Sequence, residues 1–116
     1  MASYGELLVA QLLKDNGFTF QQEYEFPGLE ASSGRPLRFD FAVFDEDTGD
    51  VDFLIEYQGV QHYKSRDSFG GYKGLKRQVF NDNAKREFCK KHGYKLIEIP
   101  YTEYDTLTID YIIDRI

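Results

Sequence analysis

The chain has 116 residues, the size of one domain, so two full domains are excluded. Its single cysteine, Cys89, rules out an internal disulfide, and no Cys/His cluster has zinc-site spacing, which points to a reducing, cytoplasmic setting. The balance of 14 Lys+Arg against 20 Asp+Glu, net −6, disfavours a general polyanion binder. A chain of this length hides roughly two thirds of its extended surface on folding, enough for one hydrophobic core without a disulfide or structural metal. No apolar run approaches the roughly 18 residues of a membrane span, and MASYGELLVAQLLKDNG lacks the basic stretch and apolar centre of a secretory leader. Neither a membrane partner nor export is therefore expected. The charge is unevenly spread. Residues 62–95 hold ten basic and three acidic side chains, a local +7 that leaves −13 for the remainder. Such a division suits a protein that meets a polyanion on one surface and a divalent cation on another, and it equally suits a solvated helix face beside an acidic surface.

In chain order, Ser3-x-x-Glu6 reads as a capping box opening a helix, with Leu7, Leu8, Leu12 and Leu13 at helical spacing until Asn16-Gly17. Residues 18–26 alternate aromatic and polar side chains, a strand pattern, and residues 27–36, rich in Gly, Ser and Pro, read as a loop. Strands over 37–44 and 51–58 flank an Asp/Gly turn at 45–50 and form an antiparallel hairpin. Alternation puts Leu37, Phe39, Phe41 and Val43 on one face, and Phe53, Ile55 and Tyr57 on the same side of the second strand. Asp40, Glu56 and Gln58 then share the opposite face, with Asp40 beside Glu56. After Gly59, a polar, flexible stretch through Ser68-Phe69-Gly70-Gly71-Tyr72 reads as loop. A second helix over 76–92 carries Phe80, Ala84 and Phe88 on one stripe and stops at Gly93, followed by a buried strand over 94–99 and a terminal helix over 107–116. The expected class is α/β (α+β): a mixed central sheet of about four strands flanked by helices, in the order α-β-β-β-α-β-α, forming one domain over residues 1–116.

Asp40 lies between Phe39 and Phe41, and Glu56 follows Phe53-Leu54-Ile55. A carboxylate in such a strand costs several kcal/mol unless compensated. Either the sheet is covered on one side only and both acids face water, or they share a hard cation such as Mg²⁺. His62, four residues past Gln58 and beyond a Gly59 bend, can turn back toward that end of the sheet. A histidine suits a general base at neutral pH, and equally an ordinary loop position. Asp82 precedes Lys85 by three residues, which makes them neighbours on one helix face, either as a surface ion pair or as part of a site.

Taken together, Glu6 on the opening helix, Arg38-Phe39-Asp40-Phe41 on a strand, Glu56-Tyr57-Gln58-Gly59-Val60-Gln61-His62-Tyr63 on the next, and Asp82-Asn83-Ala84-Lys85-Arg86 on a helix before Gly93-Tyr94-Lys95-Leu96-Ile97-Glu98-Ile99 resemble the PD-(D/E)XK nuclease superfamily. The likeness is to its very-short-patch-repair-like branch, nearest the phage homing endonucleases with an EDxHD signature, and runs from Glu6 to about Tyr101. The resemblance implies a restriction-endonuclease-like core and Mg²⁺-dependent hydrolysis of DNA, with Mn²⁺ able to substitute. It implies that Asp40 and Glu56 bind the metal, that His62 activates water, that Asp82 orients it, and that Glu6 reaches the same centre. Gln58 stands where the superfamily motif has Lys. An amide cannot bring positive charge to a phosphate, so Lys85, Lys64 or the His62/Asp82 pair inherits that task. Lys64, Arg66, Lys73, Lys76 and Arg77 are the expected contacts to double-stranded DNA, and Tyr63, Phe69 and Tyr72 are expected to wedge against bases or a groove. The cellular setting implied is the cytoplasm, that of the host if the gene is phage-borne. Two other readings fit the same chain: a catalytically inactive nucleic-acid-binding module of this fold, and a small acidic interaction protein.

Overall fold

The first helix, α1 (Tyr4–Asp15), begins where Ser3 supplies its hydroxyl: Oγ accepts from the Glu6 N–H at 3.2 Å, satisfying an N–H that the helix itself leaves without a partner. It ends where the N–H of Gly17 donates to the Lys14 carbonyl and that of Phe18 to the Leu13 carbonyl, the paired bonds of a Schellman stop. The structure is a computed structural model that describes residues 3–59 and 71–116, of Gly71 and Tyr72 the backbone alone. The expected His62, Lys64, Arg66, Tyr63 and Phe69 lie outside the described residues, as does the Tyr72 side chain.

The strands are β1 (Thr19–Glu30), β2 (Pro36–Phe44), β3 (Val51–Gln58) and β4 (Lys95–Pro100). They form a four-stranded sheet in sequence order, with β1, β2 and β3 antiparallel and β4 parallel to β3. A parallel pair needs a long crossover, and the helix α2 (Gly71–His92) lies within it. A 3₁₀ helix (Tyr101–Thr106) and the short helix α3 (Ile109–Ile113), capped by the Thr108 hydroxyl, complete the chain. The architecture is thus α+β with a mixed sheet flanked by helices in the expected order, with a 3₁₀ turn in addition among the described residues.

Both faces of the sheet are covered. Val9 and Leu13 of α1 and Ile112 of α3 pack with Phe41, Val43, Phe53, Ile55, Ile97 and Ile99 on one side. Cys89, with Ala84 and Phe88 of α2, packs with Leu37, Phe39, Ala42 and Leu54 on the other. A one-sided sheet exposing Asp40 and Glu56 is therefore excluded, and Glu56 is 8% exposed.

Several local expectations are corrected. Phe39 and Phe41 do not share a face: Phe39 enters the α2-side core and Phe41 the α1-side core. In β1 the same reversal separates Phe20 from Tyr24. The turnover lies at Glu23, between the pairs Gln22↔Phe41 and Tyr24↔Phe39, where φ is +54°. A left-handed residue shifts the alternation by one position, and Asp40 is the residue opposite it. The segment 27–36 is not a loop throughout. β1 continues through Pro27 and Gly28 to Glu30, because Gly28, at φ +84°, absorbs a register shift between Glu25 and Glu30 and lets Leu29 reach the core. The second helix starts at Gly71 and not at residue 76, and its stripe is engaged only in part: Ala84 and Phe88 pack on the sheet while Phe80 stays 52% exposed. The final helix is shorter than 107–116, since Thr108 caps it and residues 101–106 form the 3₁₀ turn.

One contact ties α1 to the sheet at close range. A Cβ placed on Gly5 would lie 2.0 Å from the Tyr57 ring, so the helix approaches β3 through the absence of a side chain. Alanine is favoured over glycine in a helix by about 1 kcal/mol. Gly5→Ala should nevertheless destabilise, by about 1–3 kcal/mol from forced repacking, and a thermal melt read by circular dichroism should show the lower Tm. An unchanged or raised Tm would show that Tyr57 is not held against the helix.

Candidate active site

β2 and β3 pair through Phe41↔Ile55, Ala42↔Leu54 and Val43↔Phe53, the register expected from the sequence, and its continuation sets Asp40 opposite Glu56. Here the side chains take over the bonding. The Asp40 N–H donates to Glu56 Oε2 at 2.8 Å, and the Tyr57 N–H donates to Asp40 Oδ2 at 2.7 Å. Each carboxylate thus accepts from the backbone of the other's strand. Lys85 of α2 completes the group: its Nζ lies 2.5 Å from Glu56 Oε1 and 5.7 Å from the centroid of the Phe39 ring. The ion pair is largely withdrawn from water, with side-chain exposures of 14% for Lys85 and 10% for Glu56.

Carboxyl groups from two further elements approach Asp40. Glu6 of α1, Glu23 of β1 and Asp40 each offer an oxygen, all within 4.8 Å of one another. Burial, followed by the negative charges of Glu56 and Glu6, pushes the Asp40 carboxyl up to about 8, against the opposing pull of the Tyr57 N–H and of Lys85. Burial likewise raises Glu6, with Glu23 and Glu56 adding to the effect and the Ser3 backbone contact opposing it. Carboxylate oxygens gathered in this way are the kind of donor set that could hold a hard divalent cation. Asp40, Glu6 and Glu23 are the residues placed to share one. The expected metal pair of Asp40 and Glu56 is adjacent, but both Glu56 oxygens are engaged, one by Lys85 and one by the Asp40 N–H.

Gln58, in the position of the missing lysine, donates from Nε2 to Glu98 Oε1 at 2.6 Å. Arg86 grips the same carboxylate through Nε, at 2.9 Å from Oε2, and through its Nη2, at 2.7 Å from Oε1. Successive cations of α2 therefore meet neighbouring acids, Lys85 on Glu56 and Arg86 on Glu98, which the parallel register sets side by side. Asp82 lies in mid-helix, not near an N-terminus, because α2 begins at Gly71. Lys85, three residues on, reaches across to Glu56 of β3, so of the two readings of this helix face the one that makes Lys85 part of the site fits its ion pair. Lys73, Lys76 and Arg77 project from the exposed first half of α2.

Sequence reasoning missed Glu23 and Glu98. Alternation groups Glu23 with the outward Glu25, and only its left-handed backbone reveals the turnover. Glu98 carried a signal, an acid between Ile97 and Ile99, of the kind already noted at Asp40 and Glu56.

No protein-family model matches the chain, and no solved structure matches it. It is similar to three viral proteins. It is 51% identical over 53 residues to uncharacterized protein 094L of Frog virus 3 (isolate Goorha), covering 44% of this chain and 34% of that protein. It is 40% identical over 58 residues to uncharacterized protein 307L of Invertebrate iridescent virus 6, covering 49% of this chain and 29% of the relative. Uncharacterized protein 033L of Invertebrate iridescent virus 3 is 43% identical over 49 residues, 41% of this chain and 25% of its own length. The chain thus spans about a third or less of the curated relatives it matches. Among the described residues, no helix is long and apolar enough to cross a membrane.

Asp40 provides a test of the site's charge balance. Unfolded, it ionises in the ordinary carboxylate range, while folded it holds its proton up to about pH 8. Its contribution to stability is therefore full at low pH and lost as pH rises through that interval. In a chelator above pH 8, Asp40→Asn should melt higher than the parent, and Mg²⁺ should raise the Tm of the parent while leaving that of the variant unmoved. Equal responses of the two proteins to Mg²⁺ in calorimetry would place the cation elsewhere.

Proposed function

We propose that this chain is the catalytic domain of a metal-dependent DNA endonuclease, a hydrolase of phosphodiester bonds with a restriction-endonuclease-like core. The observation that carries the reading is the interlocked pair Asp40–Glu56 with Lys85 inserted beside it, at the point where β2 and β3 hand their bonding to side chains. Structure alone does not require charge there. An asparagine and a glutamine would accept the same backbone N–H groups without mutual repulsion. The charge suits an ion that Asp40, with Glu6 and Glu23, would hold. Mg²⁺ or Mn²⁺ polarises the scissile phosphate and supports the leaving oxygen when bound. Lys85 brings the positive charge that Gln58 cannot, from a helix and not from the strand. The resemblance gives His62 the proton of the attacking water and Asp82 its orientation. Lys64, Arg66, Lys73, Lys76 and Arg77 track the backbone of double-stranded DNA. The relatives named above are viral, which agrees with an enzyme acting in the infected cell.

A second reading, a nucleic-acid-binding module of the same fold without catalysis, is favoured by one feature: Lys85 occupies an oxygen of Glu56, which the resemblance makes the second metal ligand.

Plasmid nicking decides between them. In Mg²⁺ or Mn²⁺ the parent should nick supercoiled DNA, Asp40→Asn should yield no product while binding DNA at least as tightly, and Lys85→Ala should slow single-turnover cleavage by about a hundredfold. DNA binding without nicking would establish the second reading, and equal cleavage by Asp40→Asn would remove the first.

Replacing Lys73, Lys76 and Arg77 together by alanine should flatten the plot of log affinity against log salt by about one unit for each phosphate no longer neutralised. Unchanged affinity and slope would make this half of α2 a solvated face.

A further inference from the structure

Beside the carboxylates runs a groove of about 430 Å³ whose walls include four tyrosines: Tyr4, Tyr57, Tyr101 and Tyr104. Tyr57 lies deep, at 8% exposure, under the notch that Gly5 leaves in α1. Tyr4 is 81% exposed and Tyr104 41%. Large rings left in water forfeit the burial that aromatic side chains ordinarily gain. Phenol rings on a shallow groove present flat π-faces with polar edges, the surface on which a base stacks without regard to its identity.

The groove and the site share Tyr57. Tyr57 stands between Glu56 and Gln58 on β3, and its own N–H is bonded to Asp40 Oδ2. Gly5, which lets the Tyr57 ring in, precedes Glu6, whose carboxylate approaches that of Asp40. A phosphate held at Asp40 therefore has its own nucleoside within reach of the tyrosines. A base can enter a walled groove only after leaving the duplex stack, and extrusion costs least where the nucleotide is already unpaired.

We infer that the groove formed by Tyr4, Tyr57, Tyr101 and Tyr104 binds the unstacked base of the nucleotide adjoining the cleaved phosphate, so that the preferred substrate is DNA with an unpaired or extruded nucleotide at that position. Base binding stands on the groove itself, while its place beside the cleaved phosphate rests on the nuclease reading.

The test is fluorescence anisotropy of the full chain, in Ca²⁺, with a labelled oligothymidine and with a labelled, fully paired hairpin, accompanied by nicking in Mg²⁺ on paired and mispaired duplexes. Tyr4→Ala and Tyr104→Ala should each weaken oligothymidine binding about tenfold and leave the hairpin unaffected, and Tyr4→Phe, which keeps the ring, should bind like the parent. Both positions face water, so the variants are expected to melt with the parent, and Tyr4→Phe controls for a fold effect. Parental binding by the Tyr4→Ala/Tyr104→Ala double variant would overturn the inference, as would a Tyr4→Phe loss as large as that of Tyr4→Ala. Concentration-dependent dimers in light scattering that Tyr4→Ala abolishes would give the groove to a second copy of the chain and overturn it also. The two readings fail separately. Ring-dependent oligothymidine binding with no nicking in either metal would keep the base site and remove the nuclease. Nicking by the double variant at parental rates on paired and mispaired substrates would keep the nuclease and overturn the groove's place beside the cleaved phosphate.

Discussion

Everything else in the site depends on the exchange of bonds between Asp40 and Glu56, each carboxylate accepting an N–H from the opposite strand. In a sheet covered on both faces, an N–H left unpaired costs about 1–3 kcal/mol, so a polar side chain is needed wherever the β2–β3 ladder gives way. Neutral acceptors would meet that need. Carboxylates meet it at a place withdrawn from water, where burial, and after it the neighbouring negative charges, raises Asp40, and where Lys85 turns inward to Glu56. Structural and chemical roles thus coincide in the same two residues.

The parallel pairing of β3 and β4 extends this arrangement sideways. Glu56 and Glu98 are register partners, and Lys85 and Arg86, adjacent in α2, are divided between them. Arg86 matches Glu98 through two nitrogens, a fork geometry that an ammonium cannot reproduce, so the two cations are not interchangeable. Gln58 adds a third donor to Glu98. A lysine at 58 would crowd a second full charge beside Arg86. The helix supplies the cation to Glu56 because the strand position is committed to Glu98.

Local chemistry made much of this legible. The Ser3 cap, the β2–β3 register and the strand-helix-strand order follow from short-range patterns, and the juxtaposition of Asp40 and Glu56 follows from register alone. What was illegible arises from backbone irregularity and tertiary cover. Alternation presumes an unbroken strand, so it misassigned Phe39 and Phe41 once Glu23 turned left-handed, and it took the Gly28 bulge for the start of a loop. Phe80 has helical spacing with Ala84 and Phe88 yet remains exposed, because spacing reports a shared helix face and not whether the sheet extends beneath it.

The residues that assemble the acids are mostly not acids. Glu23 comes near Asp40 because its backbone adopts a conformation that costs an L-residue roughly 1–2 kcal/mol, a strain that the flanking ladder pairs Gln22↔Phe41 and Tyr24↔Phe39 hold in place. Glu6 comes near because the preceding residue has no side chain and α1 can rest on Tyr57. Tyr57 in turn lends its backbone N–H to Asp40 and its ring to the groove. Removing a methyl's worth of space at position 5 would therefore displace a carboxylate, a ring and a strand contact at once, although position 5 carries no chemistry of its own. The site is specified by where helix, turnover and fork are forced to meet, and the acids occupy the place that this packing creates.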